Sequence, residues 1–333
     1  MAIETGFTQN VVQRIKNEIS KVVIHQEMFS DLALTAMFSG GHVLIEGVPG
    51  LAKTLWVKTL AAALDVTYKR TQFTSDLMPS DILGTKIFNR ESSAFELKKG
   101  PLFTNLFLAD EINRTPPKTQ SALLEVMEER GITIDGETHA LAEPFAVFAT
   151  QNPIEFEGTY PLPEALTDRF MMKLVLTYPG LPAEKKILQM YDDGSIHATP
   201  AGDRLDERPA PDDRPDECLA ACPAEDIVAC KTEIAAVRVD DSIFNYIVSI
   251  VETTRRMNVI AAGASPRGSI ALLLCAKTRA AVNGRDYVVP DDVKELAPSI
   301  LRHRVVLQPE AEMDGVKPDM VIENILTQVK VPR

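Results

Sequence analysis

Five short apolar runs divide the first 180 residues, and segments of helix length separate them. Each run has the length of a buried strand. Strands that alternate with helices predict a parallel sheet covered by helices on both faces, so we expect an α/β domain with a five-stranded parallel sheet. The runs are VLIEG (43–47), YKRTQF (68–73), LFLADE (106–111), FAVFATQN (145–152) and FMMKLVLT (170–177).

The last third of the chain shows only the apolar spacing of helices. In DDSIFNYIVSIVETTRRM, either Asp240 or Asp241 is expected to cap a helix. Its buried face is predicted to carry Ile243, Ile247, Ile250 and Val251. Two further helices are predicted, one ending at the glycine of SPRGSIALLLCAKTRAAVNG and one starting near Pro290. This pattern predicts an all-α domain.

A stretch rich in Asp and Pro at 192–217, with little to bury, separates the two patterns and indicates a linker. A chain of 333 residues is also longer than one compact core usually needs. We therefore predict an α/β domain at 1–185, a linker at 186–225 and a helical domain at 226–333.

Composition excludes several protein classes. With 45% hydrophobic and 25% charged residues and no long apolar run, the chain is typical of globular proteins outside membranes. The start has no apolar signal-peptide core, so we expect a cytoplasmic location. The net charge of −12 disfavours broad nucleic-acid binding, although a local basic pore stays possible. The cysteines Cys218, Cys222 and Cys230 lack zinc-site spacing, and Cys275 is expected in the core.

The first candidate site is GVPGLAKT at 47–54, between a predicted strand and a predicted helix. It matches the phosphate-binding loop except that Ala52 stands where the pattern has its second glycine. An alanine is favourable there if the backbone is already right-handed helical. Gly50 adds another glycine inside the loop. We expect the phosphate site to be retained.

Two further strands end in polar residues that suit this chemistry. Asp110 and Glu111 follow LFLA, and Asn152 follows FATQ. The carboxyl ends of parallel strands share one edge of a sheet, where ligands bind. One carboxylate there can hold Mg²⁺ while its neighbour polarises an attacking water, and an amide can orient that water. We expect the three side chains beside the loop.

Arg169 and Arg267 are candidate phosphate clamps, because a guanidinium matches phosphate geometry and stays charged. Spacing alone does not identify either of them as functional. A salt-bridged arginine at a helix end is the ordinary explanation, and Asp168 is an obvious partner.

From about residue 20 to its end, the chain resembles the MoxR family of AAA+ ATPases. The resemblance is carried by GVPGLAKT, QFTSDLMPSDILGT, GPLFTNLFLADEINRTPPKTQSALLEVMEER, DGETHALAEPFAVFATQNPIEFEGTYPLPEALTDRF, ASPRGSIALLL and LRHRVVLQPEAEMDGVKPDMVIENIL. Family members characteristically have AKT in this loop, so Ala52 follows the family habit. The resemblance implies an AAA+ P-loop core with a C-terminal helical lid.

For the nucleotide site, the resemblance implies that ATP is held by Gly47, Val48, Pro49, Gly50, Leu51, Ala52, Lys53, Thr54 and Leu55. Lys53 would contact the β- and γ-phosphates, while Thr54 and Asp110 would ligate Mg²⁺. Backbone donors would come from Val48, Gly50 and Ala52, since a proline has no N–H to donate. The adenine would lie near Val23, Ile24 and His25, the last standing where the family often has glycine.

The remaining roles are implied in the same way. Glu111 would be the general base, Asn152 the sensor 1 residue, Arg169 an arginine finger that reaches a neighbouring subunit, and Arg267 the sensor 2 residue, acting in cis or in trans. Segments around 76–100 and 131–144 would be insertions that face a ring's central pore, the second of them a hairpin. Lys98 and Lys99 would touch a substrate there or simply be solvated.

The function implied is Mg²⁺-dependent ATP hydrolysis by a ring, expected to be a hexamer, that remodels protein complexes or assists metal-cofactor insertion. Such proteins often act with a partner that carries a von Willebrand factor A domain. Three alternatives stay open: a nucleic-acid or transcriptional motor, a nucleotide-gated scaffold with little turnover, and a chelatase-type role. The sequence shows no GAFTGA-like loop and no helix-turn-helix after the lid, and this disfavours the first of these alternatives.

Overall fold

The computed structural model describes residues 6–23, 26–153, 158–192 and 222–332. The strands are β1 (His42–Glu46), β2 (Tyr68–Gln72), β3 (Gly84–Asn89), β4 (Ala94–Lys99), β5 (Leu106–Asp110), β6 (Gly131–Ile134), β7 (Glu137–Ala140), β8 (Ala146–Gln151), β9 (Phe170–Val175), β10 (Ile260–Ala262) and β11 (Val306–Leu307). The helices are α1 (Phe7–Val22), α2 (Glu27–Phe38), α3 (Lys53–Leu64), α4 (Pro79–Leu83), α5 (Pro117–Glu129), α6 (Glu164–Thr167), α7 (Leu181–Asp192), α8 (Ala224–Ala236), α9 (Asp241–Arg256), α10 (Pro266–Val282), α11 (Pro290–Leu301), α12 (Pro309–Met313) and α13 (Pro318–Gln328).

A five-stranded sheet in the order β2-β5-β8-β1-β9 forms the centre of the α/β region, and all its strand pairs are parallel. The five predicted strands are confirmed within two residues at each end. Along β1, Val43 and Ile45 face one apolar cluster while Leu44 faces a second cluster on the other side. This alternation is what a sheet with helices on both faces requires, so the predicted fold class is confirmed.

The parallel register gives this sheet two chemically distinct ends. The strands begin together at what we call the amino edge, where His42 pairs with Phe170. They finish together at the carboxyl edge, where Glu46 pairs with Val175 and Gln72 with Asp110. The four steps of β1 separate the two edges by roughly 13 Å, at about 3.3 Å per residue.

The C-terminal helices form the predicted helical domain. Asp240 caps α9, its carboxylate accepting from the Ser242 N–H at 2.9 Å, and the predicted apolar face of α9 is buried. Cys275 on α10 is fully buried, as predicted, and Cys222 and Cys230 also lie in the apolar core. A short antiparallel ribbon, β10–β11, was not predicted, because two or three residues carry no readable period.

The predicted domain boundaries at 185 and 225 fall inside α7 and α8, and the predicted linker lies mostly outside the described residues, as does Cys218. The division into 1–185, 186–225 and 226–333 therefore stays a prediction. In the described part of the chain, no helix is both long and apolar enough to cross a membrane.

Two antiparallel hairpins extend from the α/β core at the predicted insertions. β6 and β7 are joined by Asp135 and Gly136 with φ values of 49° and 82°, so the hairpin predicted at 131–144 is confirmed. The segment at 76–100 forms α4 and the hairpin β3–β4. Lys98 and Lys99 are exposed near the base of that hairpin, with Lys99 Nζ 5.2 Å from the Phe103 ring centre. Their contact with a substrate stays a prediction.

Candidate functional site

The glycine-rich loop connects the end of β1 to the first turn of α3. A Cβ atom at Gly47 would meet the Leu176 side chain at 3.0 Å and its carbonyl oxygen at 3.1 Å, so the close approach of the two backbones favours glycine. Lys53 begins α3, and its Nζ donates to the Gly47 oxygen at 2.7 Å. A loop that leads into a helix N-terminus with a lysine folded over it can bind phosphate.

The backbone at Ala52 is not right-handed helical, which was the condition for an alanine to be favourable there. Its φ of 54° and ψ of 23° are left-handed, so helix propensity does not explain the alanine. Loops that bind anions alternate hand so that successive N–H groups point inward, and Ala52 takes such a position. A left-handed conformation costs a non-glycine residue roughly 1–2 kcal/mol. The loop therefore forms with alanine at a modest energetic cost.

The carboxyl edge brings Asp110 and Glu111 together with Thr150 of the neighbouring strand β8. The Thr150 hydroxyl donates to Asp110 Oδ1 at 2.5 Å and accepts from the Glu111 N–H at 2.8 Å. Thr150 is fully buried. Glu111 has a φ of 56°, and such strained backbone at a non-glycine residue is common at functional sites. Thr150 thus fixes the orientation of both acidic residues.

The same two carboxylates are paired with basic and amide side chains. Arg70 lies on β2 beside Asp110, with its Nε 3.0 Å and its Nη2 2.9 Å from Asp110 Oδ2. The Gln72 amide donates to Glu111 Oε2 at 2.6 Å, and Arg114 Nη1 donates to the same oxygen at 2.9 Å. Both acids thus have counter-ions from their own chain.

Asn152 lies at the same edge, directly after β8. This strand stands between β5, which ends in Asp110, and β1, which leads into the loop. The Gly47 N–H donates to the Gln151 oxygen at 3.2 Å, which holds the loop beside Asn152, and Asn152 itself is buried. Asn152 therefore follows the strand that lies between those of the loop and of the acidic pair, while its side-chain position beside them and its role with water stay predictions.

The residues at the carboxyl edge fit a magnesium–nucleotide complex. The pKa of Lys53 is lowered by burial and raised less by Asp110 and Glu111, which indicates that the first turn of α3 lies close to both acids. Thr54, the next residue, carries a hydroxyl oxygen in the same first turn of α3. Hard oxygen donors of this kind suit Mg²⁺, which keeps several waters and binds few protein groups.

The predicted base pocket is described only in part. Ile24 and His25 lie outside the described residues, whereas Val23 is buried. Gln26 follows them, and its side-chain amide donates to the Leu51 oxygen of the phosphate loop at 2.8 Å. Gln26 is therefore held against the loop, and the base-binding role of Val23, Ile24 and His25 stays a prediction.

Arg169 and Arg267 lie at the amino edge. Arg169 immediately precedes β9, and Arg267 lies in the first turn of α10. Arg169 forms an ion pair with Glu128, in the last turn of α5, and Arg267 Nη2 lies 3.4 Å from the other oxygen of that carboxylate. Burial, followed by the charge of Arg267, lowers the pKa of Arg169. One carboxylate thus holds both arginines.

The salt-bridge alternative named Asp168 as an obvious partner, but Arg169 pairs with Glu128 instead, and Asp168 Oδ2 lies 4.0 Å from Arg267 Nε. Asp168 Oδ1 accepts from Arg304 Nε at 2.9 Å, and its Oδ2 accepts from the Ser265 hydroxyl at 3.0 Å. Arg304 also donates to the carbonyl oxygens of Asp168 and Phe170 at 3.0 and 2.7 Å. Because Arg304 is nearly buried and comes from the C-terminal domain, it takes the carboxylate that sequence proximity had assigned to Arg169.

Several residues of these clusters were missed by the sequence analysis. Arg70 and Gln72 share one face of YKRTQF, and this could have been read from strand alternation. The identity of the strand that lies beside β5 could not be read from the sequence. Glu128 contacts arginines 41 and 139 positions away, so no local signal identifies it.

The chain is similar to known proteins over almost its whole length. The profile described as "ATPase family associated with various cellular activities (AAA)" matches residues 42–172, and an AAA lid domain matches 252–325. A Bacillus subtilis protein named "Uncharacterized protein YeaC" is 46% identical over 94% of this chain and 92% of its own length. "Chaperone MoxR1" of Mycobacterium tuberculosis is 40% identical over 97% of this chain and 83% of its own.

A solved structure agrees with these relatives. A crystal structure from Cytophaga hutchinsonii, of a protein named for an expected ATPase activity, superposes with a TM-score of 0.86 at 41% identity. The match covers 98% of this chain and 96% of the other. Loop, acidic pair and helical lid occur together in one sheet topology, and relatives of this similarity span the full chain. On these grounds the chain belongs to the MoxR family of AAA+ ATPases.

Proposed function

We propose that this protein hydrolyses ATP with Mg²⁺ in a ring, built as a hexamer, whose active sites are each shared by two subunits. One observation carries the proposal. The phosphate loop and the acidic pair lie at the carboxyl edge, whereas Arg169 and Arg267 lie at the amino edge, where Phe170 pairs with the first residue of β1. Neither arginine can clamp the phosphate bound to its own loop without leaving its position.

Within one subunit, the carboxyl edge supplies binding and base catalysis. Lys53 and the N–H groups of Val48, Gly50 and Ala52 would hold the phosphates, and Thr54 and Asp110 would hold Mg²⁺. The metal supplies charge neutralisation of the phosphate oxygens. Glu111 would take the proton of an attacking water that Asn152 orients. Thr150 hydrogen-bonds to both Asp110 and Glu111 and so keeps the two acidic residues in a fixed relative position.

A neighbouring subunit would complete the site with its amino edge. Arg169 and Arg267 converge on the two oxygens of Glu128, so the pair can converge equally on the oxygens of one phosphate. We propose that both act in trans on the same γ-phosphate. Glu128 keeps nearly half of its side chain exposed, which allows it to release the arginines when the anion of the next subunit arrives.

We propose that hydrolysis drives remodelling of a protein client, in keeping with the relative named as a chaperone. A partner with a von Willebrand factor A domain and a role in metal-cofactor insertion belong to the same proposal. The two hairpins, joined by an ion pair between Lys86 and Glu137 at 3.1 Å, offer a surface through which force could reach a client.

The test is phosphate release from Mg·ATP at increasing protein concentration. Specific activity should rise with concentration and then level off as subunits associate. Both Glu111→Gln and Arg169→Ala should abolish it. A rate that is independent of concentration and indifferent to Arg169 would contradict the shared site. Tight ATP binding without turnover in the wild type would instead favour a nucleotide-gated scaffold.

A further inference from the structure

Arg70 occupies a position that the nucleotide chemistry does not account for. It projects from the middle of the edge strand β2, where it pairs with Leu108 of β5, and reaches along the strand toward the carboxyl edge. Both its Nε and its Nη2 lie within 3.0 Å of Asp110 Oδ2. The other oxygen, Oδ1, is taken by the Thr150 hydroxyl. The acid expected to ligate Mg²⁺ is thus already bound to a cation.

This ion pair is well enough shielded to be significant. The Asp110 side chain keeps 13% of its surface exposed and that of Arg70 keeps 34%. Two donors on one oxygen fix the geometry better than the single contact of a mobile surface lysine does. A positive charge at this distance reduces the attraction of the carboxylate for a second cation, and partial burial limits the screening of that effect.

Arg70 also has a second partner within reach. Its Nη2 donates to Gln72 Oε1 at 2.9 Å, and the amide nitrogen of Gln72 donates to Glu111. A guanidinium that leaves Asp110 therefore keeps an acceptor at the same edge. Its partial exposure leaves room for such a movement without disturbance of the core.

We propose that Arg70 is the counter-ion of Asp110 in the nucleotide-free subunit and that Mg²⁺ binds in competition with it. Arg70 then sets the Mg²⁺ concentration at which nucleotide is retained. This inference rests on the proposed metal role of Asp110. It predicts that removal of the Arg70 charge tightens Mg²⁺ binding, whereas a residue that merely orients Asp110 would weaken it when removed.

The experiment measures binding of a fluorescent ADP analogue at fixed nucleotide and protein while Mg²⁺ is titrated into EDTA-treated protein. ADP is not hydrolysed, so the readout is independent of turnover. Arg70→Ala and Arg70→Gln remove the charge, the second with little change in size. Arg70→Lys retains the charge. Lys69→Ala removes an equal charge from the opposite face of the same strand, and thermal melting confirms that each variant is folded.

The half-saturating Mg²⁺ concentration should fall at least about threefold in Arg70→Ala and Arg70→Gln, the size expected for a partly exposed ion pair. Arg70→Lys and Lys69→Ala should stay within about twofold of the wild type. An unchanged or higher value in both charge-removing variants, with a Mg²⁺-dependent wild type, overturns this inference alone. A wild type that binds the analogue without any Mg²⁺ dependence overturns the metal assignment as well.

Discussion

The two edges of the central sheet carry opposite arrangements of charge. At the carboxyl edge two acids, Asp110 and Glu111, are each held by an arginine of the same chain. At the amino edge two arginines, Arg169 and Arg267, are held by one acid, Glu128. Under the proposed function, each edge is half of a phosphoryl-transfer site. Mg²⁺ then replaces Arg70 at Asp110, and the phosphate of a neighbouring subunit replaces Glu128 at the amino edge.

The ion pairs differ in burial, and burial distinguishes those that can exchange from the Asp168–Arg304 pair, which supports the fold. The Arg304 side chain is only 3% exposed and bonds to Asp168 and several carbonyl oxygens, so its removal would leave buried acceptors unsatisfied. Glu128 is 46% exposed. An exposed ion pair contributes about 0–1 kcal/mol, and a multivalent phosphate can displace it. Asp168–Arg304 fastens the lid to the core, whereas Glu128, under the proposed function, releases its partners.

The largest contrast between the edges should come from Lys53→Ala and Arg169→Ala. Both variants should lose hydrolysis, Arg169→Ala by about 10³-fold or more, because each removes a charge from the transition state. Only Lys53→Ala should also lose nucleotide affinity. Equilibrium binding of ATP beside steady-state phosphate release separates the two effects. If Arg169→Ala weakened binding to isolated subunits as strongly as Lys53→Ala did, Arg169 would belong to the site of its own subunit.

Acid should destabilise the amino edge through His42. The Val147 N–H donates to its Nδ1 at 3.0 Å, so Nε2 carries the proton and faces the Met127 oxygen at 3.3 Å. Burial lowers the pKa of His42 to about 4, with a smaller rise from Met127 and a further lowering from Arg130. As the pH falls, the unfolded chain takes up the proton first, because His42 there has a pKa near 6.5. Stability should be full above pH ~6.5 and fall progressively toward pH ~4, by about 3 kcal/mol for this residue.

Denaturant unfolding at several pH values measures this loss, and His42→Gln serves as its comparison. The variant should show a shallower decline in the free energy of unfolding between those pH values. An equally steep decline would assign the acid sensitivity to other groups, of which His303 is the first candidate because burial also lowers its pKa.

Glu128→Gln should have a smaller effect, which concerns the amino edge. The amide keeps the size of the side chain but no longer neutralises the arginines, so they become available to a neighbouring phosphate. Half-maximal specific activity should be reached at a protein concentration about two- to fivefold lower, as expected for loss of an exposed ion pair. Glu129→Gln changes the next residue of α5, which forms no ion pair among the described residues, and should match the wild type. A higher midpoint in Glu128→Gln would mean that Glu128 holds the arginines in their working positions.

The smallest effect is expected for Ala52→Gly. Glycine relieves the left-handed strain of about 1 kcal/mol but gives the unfolded chain more freedom, so the two contributions nearly cancel. Nucleotide affinity should stay within about threefold of the wild type. Calorimetric titration with Mg·ADP measures it. A large gain in affinity would mean that alanine distorts the loop.

The sequence was sufficient for the strand ends of the carboxyl edge, though not for Arg70 and Gln72, because the signals of strand ends are local. Apolar runs that end in Asp110, Glu111 and Asn152 announce strand ends, and parallel strands bring those ends together whatever their order. The amino edge has no such signal. Its contacts join Arg169, Arg267 and Glu128 from three distant segments, and only tertiary packing decides that Arg304, not Arg169, takes Asp168. The backbone hand of Ala52 was missed for a related reason, since alanine is normally a helix former and only the loop geometry requires otherwise.

The central claim, an active site shared between the carboxyl edge of one subunit and the amino edge of the next, is tested most directly by mixing two inactive variants. Glu111→Gln retains its arginines, and Arg169→Ala retains its base. In an equal mixture of freely exchanging subunits, about a quarter of the interfaces pair an intact base with an intact arginine. The account predicts that phosphate release returns to about that fraction of the wild-type rate. Activity that stays at the sum of the two separate variants would contradict it.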